Sequence, residues 1–266
     1  MADRSADEFR TAVRDAYGLI AGAGDEDCGC GPGCCAGSSA SEVRTGELGY
    51  SEADIAAAPP GANLGLGCGN PAAIASLREG ETVGDLGSGG GFDCFLAARQ
   101  VGERGHVIGV DMTPEMIARA RENVRAAGVS NVSFRLGEIE HLPVVDGTAD
   151  VVMSNCVINL SPEKRRVLDE AFRVLKPGGR LAVADVIARS TLPERVREDL
   201  EAYVRCVAGA VTARELELLL TEAGFTDVRI RPMHAAGLKG DPVAGIEVRD
   251  YVVPAYIEAR RPERGS

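Results

Sequence analysis

The stretch "TVGDLGSGGGFDCFLAARQV", residues 82–101, decides the fold. It begins with a short apolar run typical of a buried strand, passes through a glycine-rich turn and continues as an apolar helix. Gly87, Gly89 and Gly91 stand at alternate positions of that turn. Glycine permits unusual φ values and lets a ligand approach the main chain closely. The stretch therefore predicts a ligand-binding turn between a strand and a helix.

The next predicted strand, "HVIGVD" at 106–111, ends in Asp111, 24 residues after Gly87. A carboxylate at this place can accept hydrogen bonds from two ribose hydroxyls, and it would repel a 2′-phosphate. The dinucleotide fingerprint G-x-G-x-x-G is not matched, because the third glycine comes one residue early. The two segments together indicate a cofactor that contains a ribose.

Strand and helix patterns alternate over the rest of the chain. Helices are predicted at 7–20, 51–57, 92–101, 113–128, 161–175, 193–208 and 212–223, and strands at 82–87, 106–111, 131–137, 149–155, 180–186, 225–233 and 250–260. Ser51, Thr113 and Ser161 are the predicted N-caps, and Pro114 and Pro162 suit first turns. The alternation predicts an α/β fold with a doubly wound, mostly parallel, Rossmann-like sheet.

Three parts of the chain are expected. Residues 1–60 would form an N-terminal helix and a Cys-rich segment that packs on the core. Residues 61–188 would form the cofactor-binding domain, and residues 189–266 would supply helices and final strands that complete the sheet and a substrate-binding lid.

Composition excludes several classes of partner. The net charge of −11 repels phosphate backbones, and an aromatic content of 4% gives little surface for stacking bases, so nucleic acid is not expected.

The N-terminus has no apolar core of a signal peptide. Residues 55–77 carry no charge, but prolines and glycines interrupt them, so no membrane span is expected. Eight cysteines without a secretory signal indicate a reducing, cytoplasmic setting.

Several motifs follow the glycine turn in a familiar order. The pattern D-L-G-x-G-x-G at 85–91, the segment "GEIEHLP" at 137–143 and the segment "FRVLKPGGRL" at 172–181 resemble class I S-adenosylmethionine (SAM) methyltransferases. The resemblance implies that Asp111 binds the ribose, that Glu138 (usually Asp in that family) lies near the adenine amino group, and that Asp85 lies along the methionine part. The full predicted cofactor set is Asp85, Gly87, Ser88, Gly89, Gly91, Asp111, Met112, Glu138, Ile139 and Asn155.

Three dispersed cysteines are candidates for one site on this fold. Cys156 follows the fourth strand, Cys206 lies in the expected lid, and Cys68 lies in the glycine-rich loop "PPGANLGLGCGNP" at 59–71. All three could reach the carboxyl ends of the strands, where ligands of such sheets bind. Three thiols around one point suit a soft centre such as trivalent arsenic, whose lone pair would project from the open side. Cys94, in the first turn of an apolar helix, is interpreted as a buried small side chain.

A lone-pair nucleophile has no proton to lose, so it needs no general base. The chain has three histidines, His106, His141 and His234, and none of them suggests a catalytic base. His106 begins a strand and His141 lies in the predicted cofactor loop, so a structural role is expected for both.

The segments around the three cysteines sharpen the resemblance. The stretches "NLGLGCGNP", "LGSGGGFDCFLAA", "GVDMTPEMI", "SNCVINLSPEK" and "CVAGA" are together similar to arsenite methyltransferases, over about residues 45–235. The resemblance implies that Cys68, Cys156 and Cys206 bind As(III), supplied as arsenite–thiol complexes, and that its methylation serves detoxification.

The same resemblance implies a redox role for an N-terminal cysteine. In this family such a cysteine is proposed to form a disulfide with the loop cysteine, here Cys68. The candidates are Cys34 and Cys35, with Cys28 and Cys30 as alternatives. An external thiol reductant, thioredoxin or glutathione, would then restore the thiols. The "CGCGPGCC" cluster could instead bind Zn²⁺ or Cu⁺, although it lacks paired C-x₂-C knuckles.

Two other functions remain open from the sequence. One is methylation of a small organic molecule on carbon or oxygen, as in quinone biosynthesis. The other is a thiol protein that binds metalloids without catalysis. The complete glycine motif and Asp111 argue against the second.

Overall fold

The computed structural model describes residues 5–22, 40–233 and 247–263. The helices are α1 Ala6–Gly22, α2 Ala40–Glu47, α3 Glu52–Ala57, α4 Pro71–Ala75, α5 Phe92–Val101, α6 Pro114–Ala127, α7 Lys164–Val174, α8 Glu194–Arg197, α9 Leu200–Val204, α10 Ala213–Glu222 and α11 Val248–Tyr251, with a 3₁₀ turn at Ile158–Leu160. The strands are β1 Thr82–Leu86, β2 His106–Asp111, β3 Val132–Leu136, β4 Ala149–Asn155, β5 Leu175–Ala188, β6 Thr226–Pro232 and β7 Val252–Arg260.

The strands form one sheet in the order β3-β2-β1-β4-β5-β7-β6. Strands β1 to β5 are parallel, whereas β7 pairs antiparallel with both β5 and β6. The predicted doubly wound, mostly parallel fold is therefore confirmed. The chain runs outward from β1 through β2 to β3, and then resumes at β4 on the other side of β1. This reversal leaves a crevice at the carboxyl ends of β1 and β4, where ligands of such sheets bind.

Burial explains why the central strands read as continuous apolar runs. Val83 and Val107 are fully buried on neighbouring strands, as are Val151 and Val152 on β4. Helices cover both faces of the sheet, so no face of these strands meets water. All seven strands predicted from sequence are present, but β5 is longer than the predicted 180–186 and spans Leu175–Ala188.

The structure confirms the position of two predicted helix caps and corrects the third. Thr113 occupies the N-cap of α6, but its side chain makes no capping hydrogen bond there. Helix α7 begins at Lys164 with Glu163 at its N-cap, so Ser161 and Pro162 both precede the helix. The Ser161 hydroxyl donates to Glu140 at 2.6 Å and accepts the amide of Glu163 at 3.1 Å. The cap at Ser51 is confirmed, with a complete capping box to Asp54.

The predicted helix 193–208 is divided in two. Helix α8 ends at Arg197, and α9 starts afresh because the carboxylate of Asp199 accepts a hydrogen bond from the amide of Ala202. After α9 the chain turns, and Cys206 takes a left-handed backbone with φ of 61°. Cys206 therefore lies buried in a turn after α9 and not within a helix as predicted. Across the described ranges, no helix combines the length and apolarity needed to cross a bilayer.

Candidate active site

A cavity of about 400 Å³ opens at the carboxyl ends of β1, β2 and β4. Its wall includes the glycine turn after β1, the end of β2, the loop after β3, helix α1 and the loop that carries Cys68. The predicted cofactor residues on this wall are Asp85, Gly87, Ser88, Gly89, Asp111, Met112, Ile139 and Asn155. The other two predicted residues, Gly91 and Glu138, lie beside the wall.

The glycine turn holds Asp111 in a fixed orientation. The amide of Gly89 donates to Asp111 Oδ2 at 2.9 Å, and the amide of Thr113 donates to Oδ1 at 2.8 Å. Gly87 has a φ of 72° and no room for a side chain, because a Cβ there would overlap Val157. The main chain and Asp111 thus form a rigid edge of the cavity with lone pairs left for a ribose.

The cavity also holds a polar atom that lacks a partner. Ser88 is buried, and its hydroxyl has no hydrogen-bond partner within the described part of the chain. Buried polar atoms are normally satisfied, so this hydroxyl indicates a missing ligand group. The glycine turn, Ser88 and Asp111 therefore fit a nucleoside such as that of SAM.

Two carboxyls lie at the inner end of the cavity. Asp85 and Asp93 are both buried on its wall. Burial, with a smaller contribution from Asp93, raises the pKa of Asp85 to about 8. Burial also raises the pKa of Asp93, against hydrogen bonds from Tyr50 and Asn155. Because a carboxyl pair in a dry site favours a positive partner, this end suits the charged methionine part of SAM.

Glu138 and Gly91 have other surroundings than the resemblance implied. Glu138 lies 3.7 Å from the guanidinium of Arg10 and 3.6 Å from that of Arg14, both on α1. Gly91 is the N-cap of α5, where a Cβ would lie 2.7 Å from Phe134. Contacts of these two residues with a cofactor stay predictions.

The three dispersed cysteines converge on the cavity wall. Cys68 and Cys156 are joined by a disulfide, with their Cα atoms 5.4 Å apart. Cys206 donates its thiol to the carbonyl of Cys156 at 3.0 Å. Cys156 and Cys206 both have positive φ, 58° and 61°, which non-glycine residues rarely adopt and which is common at functional sites. Three segments far apart in sequence thus bring three cysteines to one cavity wall. The ligand atoms that lie within 4.8 Å of one another are those of Cys68, Cys156 and Asp185, and Cys206 reaches this group through the carbonyl of Cys156.

Charged groups surround the third cysteine. Burial and the carboxylate of Asp185 raise the pKa of Cys206, whereas a hydrogen bond with Tyr17 and the ammonium of Lys164 lower it. Burial lowers the pKa of Lys164 to about 8. Asp185 also faces the other two cysteines, since one carboxylate oxygen and both sulfurs lie within 4.8 Å of one another. The thiol site is therefore closely flanked by one acid and one base.

Helix α1 closes the cavity from above. Arg10, Val13 and Tyr17 lie on its wall. Arg10 is buried and pairs with Glu140 at 3.2 Å and with Glu163, which joins α1 to the loop after β3 and to the start of α7. Sequence periodicity predicted α1 but gave no sign of its position over the cavity, because that position depends on these tertiary ion pairs.

The remaining candidates divide between described and undescribed residues. Cys28, Cys30, Cys34, Cys35 and His234 lie outside the described residues, so the N-terminal disulfide partner stays a prediction. In the structure Cys68 is bonded to Cys156 instead. Cys94 is fully buried, as predicted, and donates its thiol to Asp85 at 3.1 Å. His106 contacts Ser133 through Nε2 at 2.9 Å, away from the cavity.

Comparison with known proteins shows which class of enzyme has this fold and cavity. Residues 77–224 match a family model described as a methyltransferase domain. Together with the sheet order and the cavity, this match defines a class I SAM-dependent methyltransferase.

Proteins similar in sequence and structure identify the family within this class. An arsenite methyltransferase of Halobacterium salinarum is 50% identical, over 99% of this chain and 69% of its own length. A human arsenite methyltransferase is 40% identical over 62% of this chain, and the match spans about half (46%) of that protein. The crystal structure of an arsenic(III) SAM methyltransferase from Chlamydomonas reinhardtii is 36% identical with a TM-score of 0.63, covering 83% of this chain and 73% of that chain. The chain belongs to the arsenite methyltransferase family.

Proposed function

We propose that this enzyme transfers methyl groups from SAM to trivalent arsenic held by the thiolates of Cys68, Cys156 and Cys206. The observation that carries the proposal is the convergence of these three residues on the wall of the cofactor cavity. They come from a loop before β1, the end of β4 and the turn after α9, so their meeting is a property of the fold rather than of local sequence.

Substrate binding follows from thiol chemistry. Three thiols displace three hydroxides from arsenite, and each thiol proton leaves with a hydroxide as water. The product is a trigonal pyramid of sulfurs with the arsenic lone pair at its apex. Burial and Asp185 raise the pKa of Cys206 overall, and Lys164 and Tyr17 offset part of this rise, because an ammonium and a hydrogen-bond donor both stabilise negative sulfur.

Methyl transfer needs orientation more than acid–base help. When bound, SAM supplies an electrophilic methyl group on a positively charged sulfur. The residues proposed to hold it are the ten predicted from sequence, with Asp111 for the ribose and Asp85 for the methionine part. The chain contributes by fixing the arsenic lone pair toward the cavity and by excluding water beneath α1, and such positioning supplies much of a rate enhancement.

The cysteine thiolates supply the two electrons that return arsenic to the trivalent state. Accepting a methyl cation raises arsenic from the trivalent to the pentavalent state. Two of its thiolate ligands then leave together as a disulfide, which returns two electrons and restores trivalent methylarsenic. The disulfide between Cys68 and Cys156 supports this route, since it joins two of the proposed ligands. Thioredoxin or glutathione would reduce it by thiol–disulfide exchange. Cys34 or Cys35 could take part in that exchange.

The biological setting is part of the same proposal. Methylation of arsenic would serve detoxification, and the thiol chemistry requires a reducing compartment such as the cytoplasm. A quinone-type alternative has a weaker basis: the ubiquinone/menaquinone C-methyltransferase of Salmonella arizonae is 40% identical over only 41% of this chain. Methylation of an organic molecule also gives no reason for three converging thiols.

Methyl transfer from labelled SAM tests the function directly. Purified protein is incubated with arsenite, with and without a thiol reductant, and methylated arsenic is quantified. We expect repeated turnover with reductant. The absence of any methylated or volatile arsenic would overturn the proposal, and labelling of an organic acceptor instead would support the quinone-type alternative.

A further inference from the structure

One amide side chain connects the cofactor cavity to the first proposed arsenic ligand. The Oδ1 of Asn155, the last residue of β4, accepts the backbone N–H of Cys68 at 2.9 Å. Its Nδ2 donates to the carbonyl of Gly69 at 2.9 Å. The amide of Asn155 therefore holds the backbone of the Cys68 loop on both sides of the thiol-bearing residue.

The same Nδ2 belongs to a second set of contacts. It lies 3.0 Å from the Tyr50 hydroxyl oxygen and 3.1 Å from Asp93 Oδ2. Tyr50 in turn donates its hydroxyl to Asp93 Oδ1 at 2.5 Å. An amide nitrogen carries two hydrogens, so one goes to Gly69 and the other is shared between Tyr50 and Asp93, while Tyr50 donates its own hydroxyl to the carboxylate. A buried acid thus fixes the rotamer of Asn155 through two routes.

The consequence is a fixed spacing of two sulfurs. Asn155 is followed directly by Cys156, and its side chain accepts the backbone N–H of Cys68, so one residue contacts both cysteines, whose Cα atoms lie 5.4 Å apart. The loop comes close enough that a Cβ at Gly67 would lie 2.9 Å from the Asn155 amide. This contact explains the glycine before Cys68, since any side chain would push the loop away from β4.

We propose that Tyr50, Asp93 and Asn155 are positioning residues that hold Cys68 at thiol-bridging distance from Cys156. Their role in catalysis rests on the proposed function, but their role in sulfur spacing does not. Asn155 was predicted from sequence as a cofactor residue. That contact stays a prediction, and the amide oxygen and nitrogen also bind protein groups, which supports a role toward the thiol loop.

Tyr50→Phe is the sharpest test, because it removes one hydroxyl from a residue that is not on the cavity wall. The matched control is Tyr203→Phe, whose buried hydroxyl has no partner among the described residues. Asn155→Ala is the stronger variant, and thermal unfolding of each confirms that it folds. The reduced full-length protein is oxidised with diamide, and the Cys68–Cys156 peptide is followed by mass spectrometry. The KM for arsenite and the Kd for SAM are measured in parallel.

Losing a hydrogen bond to a buried carboxylate changes an equilibrium by about tenfold. We therefore expect Tyr50→Phe to slow Cys68–Cys156 bond formation about tenfold and to raise the arsenite KM by a similar factor. The Kd for SAM should stay within about twofold of the unmodified value, and Tyr203→Phe should match the unmodified protein in all three.

Unchanged disulfide formation in both Tyr50→Phe and Asn155→Ala would overturn the proposal. Equal loss of SAM and arsenite affinity would also overturn it, because it would indicate general loosening. The disulfide rate requires no methyl transfer. If the unmodified protein fails to methylate arsenite, the proposed function is wrong. If Tyr50→Phe still slows disulfide formation in that case, the positioning role stands.

Discussion

Cys156 and Cys206 are held in backbone conformations that cost free energy. A left-handed non-glycine residue costs on the order of 1–3 kcal/mol, and both cysteines have positive φ. The surroundings maintain the strain: the amide of Cys156 donates to Ala184 at 2.7 Å, and that of Cys206 donates to Tyr203 at 2.9 Å. Strain at two thiols of one cavity wall supports the proposal that they take part in function.

Replacing Cys206 by Ser should abolish methylation of arsenite. Oxygen is a hard ligand that binds trivalent arsenic far less well than thiolate, so arsenic would lose one of its three sulfur ligands. The Kd for SAM should change by less than about twofold, because Cys206 lies on the thiol side of the cavity. Cys156→Ser should behave in the same way. Labelled-methyl transfer and equilibrium binding measure the two effects.

Cys94→Ser is the matched control for these variants. It removes a thiol but keeps a donor for Asp85, so activity should remain within about threefold of the unmodified enzyme. Full activity of Cys156→Ser or Cys206→Ser on every arsenic species would contradict the three-thiol site.

Binding of SAM should release a proton near neutral pH. Burial raises the pKa of Asp85 to about 8, so this carboxyl is mostly protonated at pH 7. A cationic ligand favours the carboxylate, lowers its pKa and expels the proton. Release should fall as pH rises above about 8, where the carboxyl has already ionised. Calorimetry in buffers of different ionisation enthalpy measures the proton count. Release that persists in Asp85→Asn would assign the proton elsewhere.

The buried Arg10 helps to hold helix α1 over the cavity, together with the packing of α1 on α6 and α9. Arg10→Met leaves the buried carboxylate of Glu140 without its 3.2 Å partner, which should cost about 3 kcal/mol in the free energy of unfolding. Affinity for SAM should fall as well, because α1 forms part of the cavity wall. Urea denaturation and SAM binding provide the measurements.

Arg14→Met serves as the comparison on the same helix. Arg14 is partly exposed and lies 3.6 Å from Glu138, so its loss should cost less than about 1 kcal/mol. Equal effects of Arg10→Met and Arg14→Met would show that the buried ion pairs do not hold α1 in place.

Elements governed by local signals were predicted well from sequence. Helix α5 and strands β2 and β4 have the predicted bounds, because their apolar patterns are continuous, and α5 lies between Gly91 and Gly102. The region after β5 was predicted less well. Its single predicted helix is broken at Asp199, whose capping competes with helix continuation. Ser161 is not the cap of α7, because the helix begins three residues later at Lys164, although its oxygen accepts the amide of Glu163 at 3.1 Å.

At the scale of the whole molecule, the fold determines which site residues could be predicted from the sequence. The meeting of Cys68, Cys156 and Cys206 was predictable once the fold was known, because the fold dictates where strand ends and lids lie. Tyr17, Tyr50 and Asp185 were missed. Each acts through contacts between elements far apart in sequence, and no motif in the chain marks such contacts.

The redox state should control global stability. The disulfide between Cys68 and Cys156 closes a loop of 88 residues, which by loop-closure entropy stabilises the folded chain by about 4–5 kcal/mol. Reduction should therefore lower the Tm, and Cys68→Ser should remove the difference between reduced and oxidised protein. Calorimetry with and without reductant measures it. Equal Tm values for the two redox states would contradict a Cys68–Cys156 bond in the oxidised protein.

Without reductant the enzyme should stop after about one turnover, since each methylation consumes two thiols. Rapid-quench counting of methyl groups per chain measures this limit. Many turnovers without any reductant would mean that the electrons come from elsewhere.

The most direct test is X-ray absorption of arsenite bound to the reduced protein. The account predicts arsenic coordinated by three sulfurs, falling to two in Cys206→Ser. A first shell of oxygen alone, or three sulfurs that persist in Cys206→Ser, would contradict it.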